Sequence, residues 1–240
     1  MRKIVLSPVL GCLFFVAAPL TAASASEQLT IVELFTSQSC PNSPKGDHNL
    51  TRLAEEEDVL ALTYPVTYWN YLGWADTLAQ SEFDQRQKDY LRSMPDQWLY
   101  TPQLVVDGRI GVNGDDMDAV QTSLEAARTT TKARLDVKAA NGKTTIMVPA
   151  NDLAADAVVT MVTWQPGMTS VEVTGGKNRG KVLTYANVVK SVTKLSTIAP
   201  TQTQVVVETE QTEAEGCVYL LQDAASMEIL AVARCGGASV

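Results

Sequence analysis

Histidine is almost missing from this chain: among 240 residues His48 stands alone, and cysteine occurs only four times. A metal site of ordinary ligand count is hard to assemble from one imidazole and so few thiols, so no metal is expected. No glycine-rich phosphate-binding loop and no serine-hydrolase elbow appears, and no organic cofactor is expected either. Positive charge is in deficit, with 19 Lys and Arg against 27 Asp and Glu. An acidic chain of this kind carries no electrostatic footprint for nucleic acid or for an anionic membrane surface. Apolar runs long enough to span a bilayer are also lacking beyond the N-terminus, so no stable membrane insertion is expected of the mature protein.

What apolar run there is opens the chain. Met1-Arg-Lys3 leads into Ile4–Leu20 and a small-residue end at Ala23-Ser-Ala25. That is the three-part plan of a secretory signal peptide cleaved after Ala25, with a retained anchor as the alternative. Residues 1–25 contain two basic residues and no acid, so the remainder carries a formal charge of −10. Export places the protein in the periplasm or outside the cell, where disulfides persist. Three cysteines remain there: Cys40, Cys217 and Cys235. The odd one is of interest.

Residues 29–35 (Leu-Thr-Ile-Val-Glu-Leu-Phe) read as a buried strand, and a helical pattern begins near Pro44, which suits a first helical turn. Val59–Tyr64 reads as a second, parallel strand, Tyr68–Asp76 as an aromatic loop, and Ser81–Met94 as a polar helix. Gln103–Val106 and Arg109–Val112 form a hairpin around Asp107-Gly108. Asp115–Arg128 is a helix capped by Asp115 or Asp116. This β-α-β-α-β-β-α order, over residues 26–130, is that of a thioredoxin-like α/β domain. From residue 131 to 240 the pattern becomes strands near 133–139, 143–149, 156–164, 169–173, 181–193, 203–210, 217–222 and 229–235. Turn signals at Asn141-Gly142, Pro166-Gly167 and Gly175-Gly176 separate some of them. An antiparallel, sandwich-like β domain is expected. Cys217 and Cys235 flank its last hairpin equidistantly, which points to a disulfide across the strands; two buried thiols are the alternative.

Cys40 lies where the first strand meets the first helix, in Cys40-Pro-Asn-Ser43. Unpaired N–H groups and the helix dipole favour a thiolate there. Ser43 occupies the place of a resolving cysteine: it can donate a hydrogen bond to the thiolate but cannot release a mixed disulfide. Thr101-Pro102 precedes the hairpin, where thioredoxin-like proteins hold a cis-proline facing the cysteine. A cis bond turns the backbone of Thr101 outward to pair with an extended peptide. Tyr68, Trp69 and Trp74 either line a substrate groove beside Cys40 or pack a seam between the domains. Glu33, inside an apolar strand, needs a partner: it relays protons to Cys40, or pairs with Lys45 or Arg109.

These motifs resemble a secreted, thioredoxin-like bacterial family known as domain of unknown function 1223. Its members typically show Ser-Gln-Gly-Cys-x-x-Cys-Pro-x-Ala-Asp, matched here by Ser37–Asp47 with Ser39 for the glycine and Ser43 for the second cysteine. Val66–Trp69, Tyr71–Trp74, Tyr100–Gln103, Val106–Arg109, Asn178–Thr184 and Asn187–Val189 match as well. The resemblance implies a thioredoxin-fold domain followed by a β-rich domain. The expected function is that of a monothiol protein in which Cys40, Ser43, Thr101 and Pro102 form mixed disulfides with a client protein or small-molecule thiol or disulfide. The alternative is a redox-inactive binding module of the cell envelope.

Overall fold

In β1 (Thr30–Thr36) every residue is buried. That pattern belongs to a central strand covered on both faces. β1 pairs in parallel with β2 (Val59–Pro65) and antiparallel with β3 (Gln103–Val106). β3 turns through Asp107 and Gly108, at φ 48° and 69°, into β4 (Ile110–Asn113). Two residues at positive φ give a hairpin the twist its strands require. This computed structural model describes residues 29–94, 98–149, 153–202, 204–210, 212 and 214–235. The leader expected over 1–25 lies outside them. No helix among the described residues is long and apolar enough to cross a membrane.

Three helices cover the two faces of this sheet. α1 (Ser43–Leu53) and α3 (Met117–Arg128) pack Leu50, Leu53, Val120 and Leu124 against Val32, Leu34, Leu104 and Val106. α2 (Ser81–Ser93) packs Phe83 and Tyr90 on the opposite face, against Ile31, Phe35, Leu60 and Leu62. Period-two alternation along β1 accounts for the division. α1 has Pro44 in its first turn, and Asp116 caps α3 by accepting the Ala119 N–H at 3.1 Å.

Beyond residue 130 the chain turns to strands, but the large sheet does not stop. β9 (Val182–Ile198) lies beside β2, joined at Thr63 and Val188. β8 (Ala157–Glu172), β11 (Gly216–Asp223), β12 (Ile229–Arg234) and the two-residue β5 (Ala133–Arg134) follow outward. The result is one nine-stranded sheet of order β4-β3-β1-β2-β9-β8-β11-β12-β5. A second, antiparallel sheet holds β10 (Gln204–Glu210), β7 (Lys143–Pro149) and β6 (Asp136–Ala140). It faces the far end of the first over Ile146, Val148 and Val207 against Val159, Tyr219, Leu221 and Ala231.

Two strand expectations change. Pro166-Gly167 does not end a strand: the segments near 156–164 and 169–173 are one strand, β8, with a register shift between Gln165 and Met168. Proline cannot donate to the ladder, and Gly167 at φ 85° accepts the resulting bulge. The strand expected over 133–139 breaks at buried Leu135 into β5 and β6, which join different sheets. The expected disulfide is present: Cys217 and Cys235 are bonded, with Cα atoms 5.3 Å apart.

Candidate functional site

Four short segments meet at the end of β1. Residues 37–42 make a turn in which the Cys40 N–H reaches the Ser37 carbonyl at 3.1 Å, and α1 starts at Ser43. Cys40 is the free cysteine of the described residues and is 2% exposed. Its thiol donates to the Thr101 carbonyl, with Sγ and O 3.5 Å apart, and the Thr101–Pro102 bond is cis. The thiol and the carbonyl it meets are 61 residues apart in the chain. Gly46 is what lets α1 approach Pro102: a Cβ there would sit 2.5 Å from the Pro102 Cβ. Pro102 in turn accepts the Gly114 N–H at 2.9 Å, and Asn49 Nδ2 holds the Gly114 carbonyl at 2.9 Å.

Ser43 is fully buried, and its Oγ accepts the Ser37 N–H at 3.3 Å, bracing the turn that carries the thiol. The aromatic candidates separate. Tyr68 donates to Gln87 Oε1 at 3.1 Å; burial raises its hydroxyl above the usual range, and the nearby Asp84 carboxylate adds to that. Trp69 packs against the Phe83–Tyr90 core and stacks on exposed Tyr71. Trp74 lies over Gly175 and Gly176 beside the Val173–Tyr185 core, and its Nε1 donates to Gln38 Oε1 at 2.8 Å. It forms part of the seam between the halves of the chain. A cleft of about 510 Å³ beside Thr101 and Pro102 is lined instead by Asn42, Trp98, Tyr100 and Val112, with Trp98 72% exposed.

Around the turn, almost every polar group is held. The Gln38 N–H donates to Asp76 Oδ2 at 2.7 Å, and the Ser39 hydroxyl donates to the Trp74 carbonyl. Asn178, fully buried, donates from Nδ2 to the Gln38 carbonyl at 2.9 Å and to the Cys40 carbonyl at 2.8 Å. Lys181 Nζ donates to Asn178 Oδ1 at 2.9 Å. The Asn178 segment is a motif of the sequence that by itself points to no role. Its only local cue is an Asn in a turn bounded by Gly176 and Gly180, both at positive φ.

Behind the turn, Thr36 Oγ1 donates to Asp47 Oδ1 at 2.5 Å. Burial raises the Asp47 carboxyl well above the usual range, and nearby Asp76 adds to it. Burial likewise raises Asp76 and Tyr185, although Asp76 accepts backbone N–H groups that pull the other way. Among the described residues, Asp47 Oδ2 and the Tyr185 hydroxyl have no hydrogen-bond partner.

Glu33 pairs with neither Lys45 nor Arg109. It takes a two-pronged pair from Arg86, Nε to Oε1 at 2.7 Å and Nη2 to Oε2 at 3.1 Å, with the Tyr90 hydroxyl also donating. Alternation along β1 turns Glu33 to the α2 face, where Arg86 crosses it. Arg109, past the hairpin, binds Thr130 Oγ1 at 2.9 Å and lies 3.5 Å from Glu228. Arg86 also reaches Gln222 Oε1 of β11 at 3.3 Å, tying the buried pair to the second half. No cluster of three His, Cys, Asp or Glu side chains suited to a metal occurs among the described residues.

A sequence model described as "Protein of unknown function (DUF1223)" matches residues 31–222. The crystal structure of protein AGR_C_4864 from Agrobacterium tumefaciens is similar, with TM-score 0.72 and 29% identity over 90% of this chain and 98% of that one. HBP35 of Porphyromonas gingivalis shares the fold at TM-score 0.58 and 12% identity, over 86% of this chain and 74% of that one. No curated protein matches.

Proposed function

The chain belongs to the DUF1223 family, whose description names no activity, and we propose from its own residues that it is an exported, thioredoxin-like monothiol protein. Cys40 is the nucleophile. As thiolate it attacks one sulfur of a client disulfide; a Cys40–S bond forms, the client S–S bond breaks, and the departing thiolate takes up a proton. A second thiol, from the client or a small molecule, then attacks the client sulfur and releases Cys40. Without a second cysteine at Ser43, that outside thiol is required in every cycle.

The observation that carries this reading is the Cys40 thiol set 3.5 Å from the Thr101 carbonyl of a cis Thr101–Pro102 bond. A client segment entering the Trp98–Tyr100 cleft meets that backbone edge next to the sulfur. Aromatic surface supplies apolar contact without a charge requirement, which suits an extended polypeptide client. The leader and the Cys217–Cys235 bond fit a periplasmic or secreted location.

Incubating the leaderless protein with glutathione disulfide tests the chemistry. The expected product carries one glutathione on Cys40, detected by mass, released by free thiol and absent from Cys40→Ala. If the folded protein gains no mixed disulfide from glutathione disulfide or from a disulfide-containing peptide, the reading is wrong. One observation favours a second reading, a binding module: Cys40 is only 2% exposed. In that case Cys40→Ala retains full client binding, while Trp98→Ala loses it.

A further inference from the structure

We infer that Asn178 is the positioning residue of the Cys40 site, contributed by the β-rich half of the chain and held in place by Lys181. This rests on the reading of Cys40 as the reactive group. The Asn178 amide spans two carbonyls of the same turn, two residues apart, with bonds of 2.9 and 2.8 Å. Two such bonds from one planar group fix the rotation of the peptides on either side of Ser39 and Cys40. The sulfur is then held against Thr101.

Asparagine suits the position because it offers two donors on one nitrogen and an acceptor beside it. Lys181 Nζ occupies the acceptor, so the amide cannot flip without placing Nδ2 against an ammonium group. Removing the side chain would strip the buried Gln38 carbonyl of its Asn178 donor and leave the Cys40 carbonyl only the long 3.4 Å bond from the Ser43 N–H, and the turn would find water by opening. Gln38 and Ser39 are fully buried, so that opening exposes Cys40.

Iodoacetamide labelling of Cys40 in the folded, disulfide-intact protein reads the effect. Asn178→Ala is expected to raise the labelling rate at least tenfold, and the rise stays constant at low urea because the opening is local. Lys181→Met, a change at an exposed position that leaves Asn178 in place, is expected to raise it two- to fivefold. Asn187→Gly is the control: its side chain holds the Ala61 carbonyl and the Gly167 N–H elsewhere on the seam. It lowers the melting temperature without raising the rate.

The inference is overturned if Asn178→Ala labels like the parent, or only as fast as global unfolding in urea allows. Should that variant not fold, an unchanged rate in Lys181→Met overturns it. Glutathione disulfide added to the parent protein keeps the two claims apart. Failure there with accelerated labelling in Asn178→Ala removes the thiol-exchange reading and leaves the positioning intact.

Discussion

Asp47 has two carboxylate oxygens, and the fold supplies a donor for one of them. Thr36 serves Oδ1, while Oδ2 is buried with no partner among the described residues. Burial therefore favours the neutral acid, and the folded-state pKa is raised above the value of about 3.9 for a free carboxyl. The unfolded chain then loses its proton at lower pH than the folded one. Between the two pKa values the folded state binds more protons, so stability is full below the unfolded pKa and falls as pH rises. Asp47→Asn keeps an acceptor for Thr36 and puts a donor where Oδ2 stood. It is expected to raise the melting temperature by about 2 °C or more at pH 7.5, the shift for roughly 1 kcal/mol in a chain of this size. The gain should vanish near pH 3.5. Thermal melts of both proteins across that range measure it; a gain that persists in acid would show the carboxyl is not the cause. At this scale the sequence is informative about chemistry and poor about partners. Cys40 and Thr101-Pro102 were legible because residue type and place in the topology coincide. The partner of Glu33 was not, since the helix that crosses β1 sets it.

Elements were read well wherever a period was long enough to show. β1, α2 and the β3–β4 hairpin lie where a β-branched apolar run, a polar helical segment from Ser81 and Asp107-Gly108 put them, although Gln80 rather than Ser81 takes the cap position of α2. Local cues failed at Pro166-Gly167, because the same dipeptide serves a turn or a bulge, and only the neighbouring strand decides. The contact of α1 with the Thr101–Pro102 segment gives an element-scale test. Alanine normally gains about 1 kcal/mol over glycine inside a helix. At Gly46 the added methyl would sit 2.5 Å from the Pro102 Cβ, and overpacking costs about 1–3 kcal/mol. The clash outweighs the propensity gain, because Pro102 is itself held by Gly114. Gly46→Ala is expected to lower stability in urea by up to about 2 kcal/mol, whereas a solvent-facing helix glycine would have gained.

For the molecule as a whole, the change of character at residue 130 is real in sequence and is crossed in structure. β9 enters the sheet beside β2, and Val162, Trp164, Val189, Val218 and Leu220 share one core with Ile31, Phe35 and Phe83. Arg86 reaches Gln222, and the turn at Gly108 lies against Met227 so closely that a Cβ would fall 2.1 Å from its carbonyl oxygen. A polypeptide ending at Thr130 is therefore expected to melt without a cooperative transition, as followed by circular dichroism. A sharp transition near that of the full chain would mean the first half stands alone. No sequence pattern announces this joining, because the β2–β9 ladder has a single registered pair, Thr63 with Val188, beside side-chain bonds from Thr63 and Asn187. That pairing also sets an order in time. As the polypeptide is synthesised, β2 is complete by residue 65, while the strand that borders it is not finished until Ile198. Until then its outer edge is open to any other extended chain. Folding of the first half must wait for, or be shielded until, the arrival of the second.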